Sequence, residues 1–425
     1  MKRIIVILLF SSLNLSLIAQ IGDNYFYSDS CKASVETNMN CEFSSSSISN
    51  KFLDLFLFSD HIDEQNKNWM FASLHSYNSF GADINGGLTF ITFPDTFVGS
   101  TDIGLFVRYN KYYHVDMSFT RDLFELFFDG NKRFAGKEAN LSNSSLNMMN
   151  YEQMQFGIFT KLEENNTKLT YGVGVSVNNG YRNTLINIKK GALYTDANAE
   201  YIDFSANYEV NRSDFSKTGN NAFKGIGASL NLYYSFETER KNIFDLEITD
   251  FGFIKWNKHS QKFARDTSLH FEGINVSDIL NIEGNIFNNA NPDSIINSYT
   301  YSDTTHSYST PTPSCLKISY LYNYTENFRI EFGIKKKFFS HYDPLLIIKS
   351  HYLPCKRNIF SFNLCFGGYS KLTGENHNIN AGIEYAHDFG KGLVVLVGSD
   401  YLNGLIYPYS TTAKGVFFSL KKYFL

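Results

Sequence analysis

Strict alternation of apolar and polar residues recurs in about eleven separate stretches of this chain. In 168–178, one face carries Leu169, Tyr171, Val173, Val175 and Val177, and the other carries Lys, Thr, Gly, Ser and Asn. A period of two is typical of a β-strand with one apolar and one polar side. The same pattern occurs in 102–110, 112–120, 200–210, 224–236, 316–324, 327–335, 358–367 and 377–385. The chain is therefore expected to form a continuous sheet with two chemically different faces.

Composition narrows the classes of protein that this sheet can belong to. The 425 residues include 40 Phe and 28 Tyr, which suits the aromatic girdles of a membrane barrel. After the first twenty residues there is no apolar run of about 18 residues or more, so helical membrane spans are excluded. The net charge is −4 and no long basic run occurs, which argues against a nucleic-acid partner.

Both ends of the chain fit a secreted barrel. Residues 1–19 have a basic start, a short apolar core and a small residue at Ala19, which together predict a signal peptide cleaved before Gln20. A buried N-terminal helix is the alternative. The last strand, 414–424, alternates and ends on Phe424, resembling the signal by which the assembly machinery of bacterial outer membranes recognises barrels, although Leu425 follows.

The connections between these strands alternate between short turns and long loops, as in a membrane barrel. We therefore predict an all-β protein, a closed antiparallel transmembrane β-barrel of about 14 to 16 strands, in the bacterial outer membrane. The upper count includes Thr184–Lys190 as a short strand. The barrel is expected to span 86–425, and residues 20–85 either plug the lumen or supply the first strands.

Two long connections are expected to be more than loops. Arg121–Asn150 begins with closely spaced Leu and Phe residues that favour a short helix, which caps or enters the barrel. In Lys255–Ser314 the first half could fold against the lumen. The second half, rich in Asn, Ser and Thr, is expected to be an exposed loop.

Three segments carry a resemblance to a known family. They are Asp245–Asn257, Glu125–Lys137, and Phe271-Glu272-Gly273 together with Asp278-Ile279-Leu280. Taken together they resemble an uncharacterised Bacteroidota family of unknown function that is thought to form outer-membrane barrels. The resemblance spans roughly 51–424 and implies location and architecture, with no functional residues to carry over. In barrel size the chain is also distantly similar to the long-chain fatty-acid transporters, a likeness of shape only.

A search of the sequence for chemistry finds no catalytic or metal-binding motif. The ten His are scattered, and there is neither a His-Glu-x-x-His nor a Cys-x-x-Cys. No Gly-x-Ser-x-Gly elbow occurs either. We therefore expect no enzyme, no cofactor and no metal. Among the five cysteines, Cys31 and Cys41 could close a disulfide loop, Cys315 and Cys365 fall on lumen-side positions, and Cys355 lies in a short turn.

Charged residues at polar-face positions are the candidates for the lumen lining. They are Asp102, Arg108, His114, Asp116, Asp203, Glu209, Arg329, Glu331, Lys335 and Glu384. Such residues line either a water-filled path or a filled, salt-bridged interior. The first predicts porin-like passage of a small or hydrophobic solute. The second predicts a non-transporting scaffold for secretion or surface-protein machinery. The expected partners are outer-membrane lipid, the barrel assembly machinery, a small hydrophobic ligand, and a surface or secretion protein.

Overall fold

The computed structural model describes residues 31–59, 61–214, 223–272, 304–370 and 379–424. Its strands, in chain order, are β1 Ala33–Ser45, β2 Tyr77–Thr92, β3 Ile103–Thr120, β4 Lys137–Asn140, β5 Ser144–Glu164, β6 Thr167–Thr195, β7 Ile202–Arg212, β8 Gly225–Glu237, β9 Ile243–Trp256, β10 Gln261–Phe271, β11 Thr304–Thr305, β12 Ser309–Pro311, β13 Cys315–Thr325, β14 Phe328–Lys337, β15 Leu345–Cys355, β16 Asn358–Phe366, β17 Asn380–Asp388, β18 Leu393–Ser399 and β19 Ala413–Phe424. The helices are α1 Asn50–Phe58, α2 Glu64–Ser73, α3 Arg121–Asp129 and α4 Leu402–Ile406, and short 3₁₀ turns cover Asn131–Phe134 and Gly368–Ser370.

Fourteen of these strands form a closed antiparallel ring, so the predicted fold class is confirmed. The ring runs β1-β2-β3-β5-β6-β8-β9-β13-β14-β15-β16-β17-β18-β19. It closes where β1 pairs with β19, from Ala33 opposite Phe424 to Ser44 opposite Ala413. The closure leaves no free edge in the ring, which satisfies the backbone hydrogen bonds of every ring strand.

The connections divide between the two ends of the ring. At one, here called the turn end, β5 and β6 are joined by Asn165-Asn166, whose positive φ angles of 49° and 62° are those of a two-residue hairpin turn. Equally short links join β13 to β14 and β15 to β16. At the other end, here called the loop end, lie the helices and most of the long connections, whereas the link 93–102 between β2 and β3 lies at the turn end. This division explains the alternation of short and long gaps in the sequence.

The ring begins earlier in the chain than the expected boundary at Gly86. Residues 33–45 and 77–92 are ring strands, so the N-terminal segment supplies the first strands, and the helical part between them lies at the loop end. Ser49 and Thr120 cap α1 and α3 by accepting hydrogen bonds from the backbone of Phe52 and Leu123. The helix predicted in Arg121–Asn150 is therefore present.

β6 is long because it takes part in two sheets. Its first part, Lys168–Gly180, pairs with β8 in the ring, and its second part, Thr184–Thr195, pairs with β7. We call the sheet of β4, the second part of β6, β7 and β10 the extension. Thr184–Lys190 and Glu200–Val210 thus belong to the extension rather than to the ring. The stretches 102–110 and 112–120, expected as two strands, form the single strand β3, and β1 adds a strand ahead of the expected boundary, so the ring has fourteen strands and not sixteen.

The disulfide that Cys31 and Cys41 could have formed is absent. Cys41 lies well inside the extended strand β1 and Cys31 lies just before it, so the two thiols are too far apart for a disulfide. All five cysteines are free. None of the helices in the described ranges is long and apolar enough to cross a membrane.

Candidate functional site: the closed lumen

Each ring strand has an apolar outer side and a polar inner side. On β8, Leu230, Leu232 and Tyr234 are exposed outward, whereas Ser229 and Asn231 are buried inside. The outer sides of other ring strands carry exposed Phe90, Val107, Phe156, Val175, Phe253, Phe332, Ile348, Phe362, Ile383 and Phe418. A contiguous apolar belt of this size is unusual on a protein surface that faces water.

Lys337 joins two opposite walls of the ring. Its Nζ lies 2.6 Å from Asp83 Oδ2 and 3.6 Å from Glu42 Oε2. Lys337 is on β14 and Asp83 is on β2, which are seven strands apart in a ring of fourteen, the largest separation there is. His114 on β3 adds to this cluster, with Nδ1 2.7 Å from Asp83 Oδ1. We call Lys337 and Asp83 the cross-wall pair, and Glu42 and His114 are its neighbours.

This contact brings the two walls closer together than they would be in a round ring. Fourteen strands spaced about 4.8 Å apart and tilted about 40° would form a round ring roughly 28 Å across. A Lys and an Asp side chain together bridge no more than about 12 Å between backbones. The two walls are therefore drawn together at this height, and the lumen is closed there.

Two connections at the loop end fold inward onto the same region. His341, in the β14–β15 connection, donates its backbone N–H to Asp116 Oδ1 at 2.8 Å, and its Nδ1 lies 2.7 Å from Asp116 Oδ2. Tyr369, in the 3₁₀ turn after β16, donates its hydroxyl to Asp116 Oδ1 at 2.8 Å. Burial, reinforced by the nearby Asp116 carboxylate, holds the pKa of Tyr369 well above its usual value, so the phenol remains a donor.

Gly81 on β2 provides the space for this inner loop. A β-carbon at Gly81 would lie 1.9 Å from Cε2 of Tyr369. The Tyr369 ring in turn packs edge-on against Tyr342, which is fully buried and lies under the Lys337 ammonium at 4.5 Å. The cross-wall pair and the inner loops therefore form one continuous plug. We use the name inner plug for Lys337, Asp83, Asp116, His341, Tyr342 and Tyr369.

A second set of contacts fills the interior along β3, β5, β8 and β9. Arg108 donates to Tyr233 at 3.1 Å and to Thr89 at 3.2 Å. Asp250 accepts from Gln153 at 2.6 Å and from Tyr112 at 3.2 Å. Nearer the turn end, Ile91, Phe106, Phe159 and Tyr233 pack into an apolar cluster inside the ring. These buried polar groups pair with one another across the interior, mostly between strands that are not neighbours in the ring.

The helices cover the loop end. Phe52 and Leu53 of α1, Met70 and Phe71 of α2 and Phe124 of α3 share one apolar core with Phe119 of β3. Lys414 on β19 forms an ion pair with Asp54 on α1. The cap formed by α1, α2 and α3 is thus packed onto the wall by both apolar and charged contacts.

The structure places most of the sequence-predicted lumen residues on the ring. Arg108, His114, Asp116 and Glu384 are buried, and Glu384 pairs with Lys349 at 3.2 Å. Glu331 lies 3.4 Å from His351 Nε2. Arg329 and Lys335 are on the same side of β14 as Glu331. Three others do not line the lumen. Asp203 and Glu209 are on β7 in the extension, and Asp102 lies in an exposed turn before β3.

The residues that close the lumen most directly were missed by sequence reasoning. Lys337 lies an even number of residues from the inward-facing Arg329, Glu331 and Lys335. The alternation of side chains along a strand could therefore have predicted that Lys337 faces inward. Asp83 and Glu42 fell in the segment whose structure was left open. Among the described residues, no group of three or more His, Cys, Asp or Glu side chains is placed to hold a metal ion.

The fold and interior define a closed antiparallel β-barrel with an apolar outer wall and a plugged polar interior. The chain belongs to a family of unknown function, DUF5723, which matches residues 32–386. This agrees with the resemblance to an uncharacterised family drawn from the sequence. The curated proteins give no match.

Solved structures give distant likenesses of fold. A Pseudomonas aeruginosa FadL homologue is 8% identical with a TM-score of 0.43, covering 92% of this chain and 90% of its own. The P. putida toluene transporter TodX is 6% identical with a TM-score of 0.42, covering 93% and 91%. The outer membrane phospholipase A of Escherichia coli is 8% identical with a TM-score of 0.27, covering 91% and 92%. At this distance none of them bears on function.

Proposed function

We propose that this protein is an outer-membrane barrel that passes a small solute when its inner plug moves, and that the described conformation is the closed state. The apolar outer belt supports a membrane location, because closed β-barrels with alternating strands are how sheets cross outer membranes. The filled interior argues against a permanently open pore. The observation that carries the proposal is the ion pair between Lys337 and Asp83 on opposite walls.

The nature of the plug supports movement. Its members are joined by an ion pair, hydrogen bonds and ring contacts, all of which can exchange for water without breaking a covalent bond. A barrel needed only as a wall could satisfy its charges between nearby strands, as Lys349 on β15 and Glu384 on β17 do within one side of the ring. Pairing across the lumen instead couples the walls to each other and to the inner loops.

The interior favours a polar solute over a hydrophobic one. Amides, hydroxyls and charged groups dominate the buried inner side, including Asn110, Gln153, Asn178, Ser229 and Asn231. The apolar cluster around Phe106 is packed against itself and presents no open apolar path. We infer no catalytic role.

A scaffold for a surface or secretion protein is the second candidate. The observation that favours it is the extension, a sheet that leaves the ring at the loop end and that closure of the barrel does not require. A scaffold would stay silent electrically and would depend on the extension rather than on the inner plug.

Conductance in planar bilayers tests the proposal. The variant Lys337→Met/Asp83→Asn removes both charges of the cross-wall pair at once and keeps similar side-chain sizes. We expect the intact protein to be mostly closed and the double variant to show stepwise openings at least about tenfold more often, a shift of about 1.4 kcal/mol. The matched control is Lys349→Met/Glu384→Gln, which removes an ion pair that does not cross the lumen and should leave the record unchanged.

Folding is checked by heat-modified gel mobility of each reconstituted variant. A folded double variant that remains as silent as the intact protein would contradict gated passage and support the scaffold. Equal opening by the control pair would show that the cross-wall position has no special role.

A further inference from the structure

One face of the extension contains a hollow that the lumen proposal does not use. Its volume is about 260 Å³, and it is lined by residues of β4, β6, β7 and β10, including Tyr194, Ser205 and Ser268. Ligand pockets of drug size have volumes of about 300 Å³ or more, so this hollow suits a ligand about as large as one amino-acid side chain.

Strand register places four chemically active side chains in one row. Glu138 lies opposite Tyr194, Tyr194 opposite Asp203, and Asp203 opposite His270. Residues that are directly opposite on neighbouring strands point to the same face of a sheet. The row therefore presents a carboxylate, an aromatic ring, a second carboxylate and an imidazole across four adjacent strands.

The hollow exists because the next row on this face is small. Ala192, Ser205 and Ser268 lie opposite one another two residues further along their strands. The other face of the same sheet is fixed, since Leu193 and Phe204 pack against Phe134, Ala139 and Leu141. The hollow therefore lies over small side chains on a sheet that is packed on its other face.

His270 is held at one end of the row. Its Nδ1 lies 2.5 Å from Asp203 Oδ1, its Nε2 lies 3.2 Å from Glu272 Oε1, and its ring packs on Tyr201 at 5.0 Å. The hydrogen bond to Asp203, followed by that to Glu272, raises the pKa of His270 above its usual value. Glu138 and Asp203 flank Tyr194 along the row, and Asp203 is the carboxylate that contacts His270.

We propose that this hollow binds a small ligand with an ammonium group, placed against the Tyr194 ring between the Asp203 and Glu138 carboxylates. An ammonium ion is attracted both by the face of an aromatic ring and by carboxylates. The chain does not supply such a group from the neighbouring segment. Residues 273–303 contain Asp278, Glu283, Asp293 and Asp303 but no Lys, Arg or His.

Protonated His270 competes with the ligand for Asp203. The charged groups facing His270 are Asp203 on β7 and Glu272 on its own chain segment, with the neutral phenol of Tyr201 against its ring. Below its raised pKa the imidazolium already neutralises Asp203. Above that pKa the imidazole is neutral and Asp203 is available, so ammonium binding strengthens as the pH rises.

Calorimetric titration of the full chain in detergent with cadaverine tests the site, with pentane-1,5-diol as the uncharged analogue of the same length. We expect saturable binding of cadaverine, none of the diol, and at least about a tenfold loss of affinity in Asp203→Asn and in Tyr194→Leu. The matched control is Asp266→Asn, which removes an exposed carboxylate from the same β7–β10 pair, where it accepts from Asn207.

The pH dependence of cadaverine binding distinguishes this site from general attraction of the ligand to a negative surface. Between about pH 6 and about pH 8.5 affinity should rise in the intact chain and stay flat in His270→Gln. Absence of saturable binding, equal binding of the diol, or an equal loss in Asp266→Asn would overturn the proposal. None of these outcomes depends on conductance, so the two proposals fail separately.

Discussion

At the scale of single residues, Gly81 shows how strongly one position can control the inner plug. Its missing side chain is what admits the Tyr369 ring to the wall of β2. Tyr369 then reaches Asp116, and Asp116 also holds His341 from the other inner loop. One glycine thus permits two loops to settle inside the ring.

Gly81→Ala is expected to displace Tyr369 and loosen the inner plug. The added methyl has no space, so the ring must move and its hydrogen bond to Asp116 is lost. Overpacking of this kind costs about 1–3 kcal/mol, which urea unfolding in lipid vesicles would show together with more frequent openings in bilayers.

Gly333→Ala provides the control for that change. Gly333 is also on the inner side of a ring strand, but a β-carbon there would approach nothing closer than 3.6 Å. It should be neutral or slightly stabilising, because alanine loses less backbone entropy than glycine. Equal effects of the two substitutions would contradict the role given to Tyr369.

The alternation of side chains along a strand was enough to predict which way some interior residues face. Arg108, His114 and Asp116 are on the polar side of β3 in the sequence and are buried in the structure. Parity could not distinguish the ring from the extension, because Asp203 and Glu209 alternate in the same way on β7. The partners were also beyond sequence reasoning, since Lys337 and Asp83 are 254 positions apart.

At the scale of elements, β6 explains where strand prediction succeeded and failed. Its ring part, 168–180, was the clearest alternating stretch in the chain. Its extension part was interpreted as a separate ring strand, because a sheet in water can alternate as regularly as one in lipid. The register shifts at Asn150/Tyr151 and Ile188/Lys190 mark where the strand leaves the ring, and no residue type announces them.

The two parts of β6 should respond differently to a charge on an exposed side. Val175 is 58% exposed on the ring part and faces outward, whereas exposed Asn187 lies on the extension. Val175→Lys should cost about 2–4 kcal/mol, as expected for a lysine on the lipid face of a barrel. Asn187→Lys should change stability by no more than about 0.5 kcal/mol.

Unfolding of both variants in the same lipid vesicles provides the comparison. A Val175→Lys barrel as stable as Asn187→Lys would mean that the outer side of the ring does not contact hydrocarbon. The proposed membrane location would then be wrong.

At the scale of the whole molecule, closure of the ring was predictable and closure of the lumen was not. About eleven alternating stretches with short and long connections leave few other architectures. The closing of the lumen depends on side chains that are far apart in the sequence, such as Lys337 on β14 and Asp83 on β2. A round ring and a flattened ring have the same strand pattern, so sequence periodicity does not separate an open lumen from a plugged one.

Reactivity of the native Cys365 thiol tests the closed lumen most directly. Cys365 is buried on the inner side of β16 against Tyr342 and Tyr369. In a variant that keeps only this cysteine, reconstituted in lipid, a charged methanethiosulfonate should react slowly. Adding Lys337→Met/Asp83→Asn should accelerate the reaction at least about tenfold, because the plug that covers the thiol is released. A thiol that reacts in the intact barrel as fast as exposed Cys355, or that is not accelerated by loss of the cross-wall pair, would contradict the account.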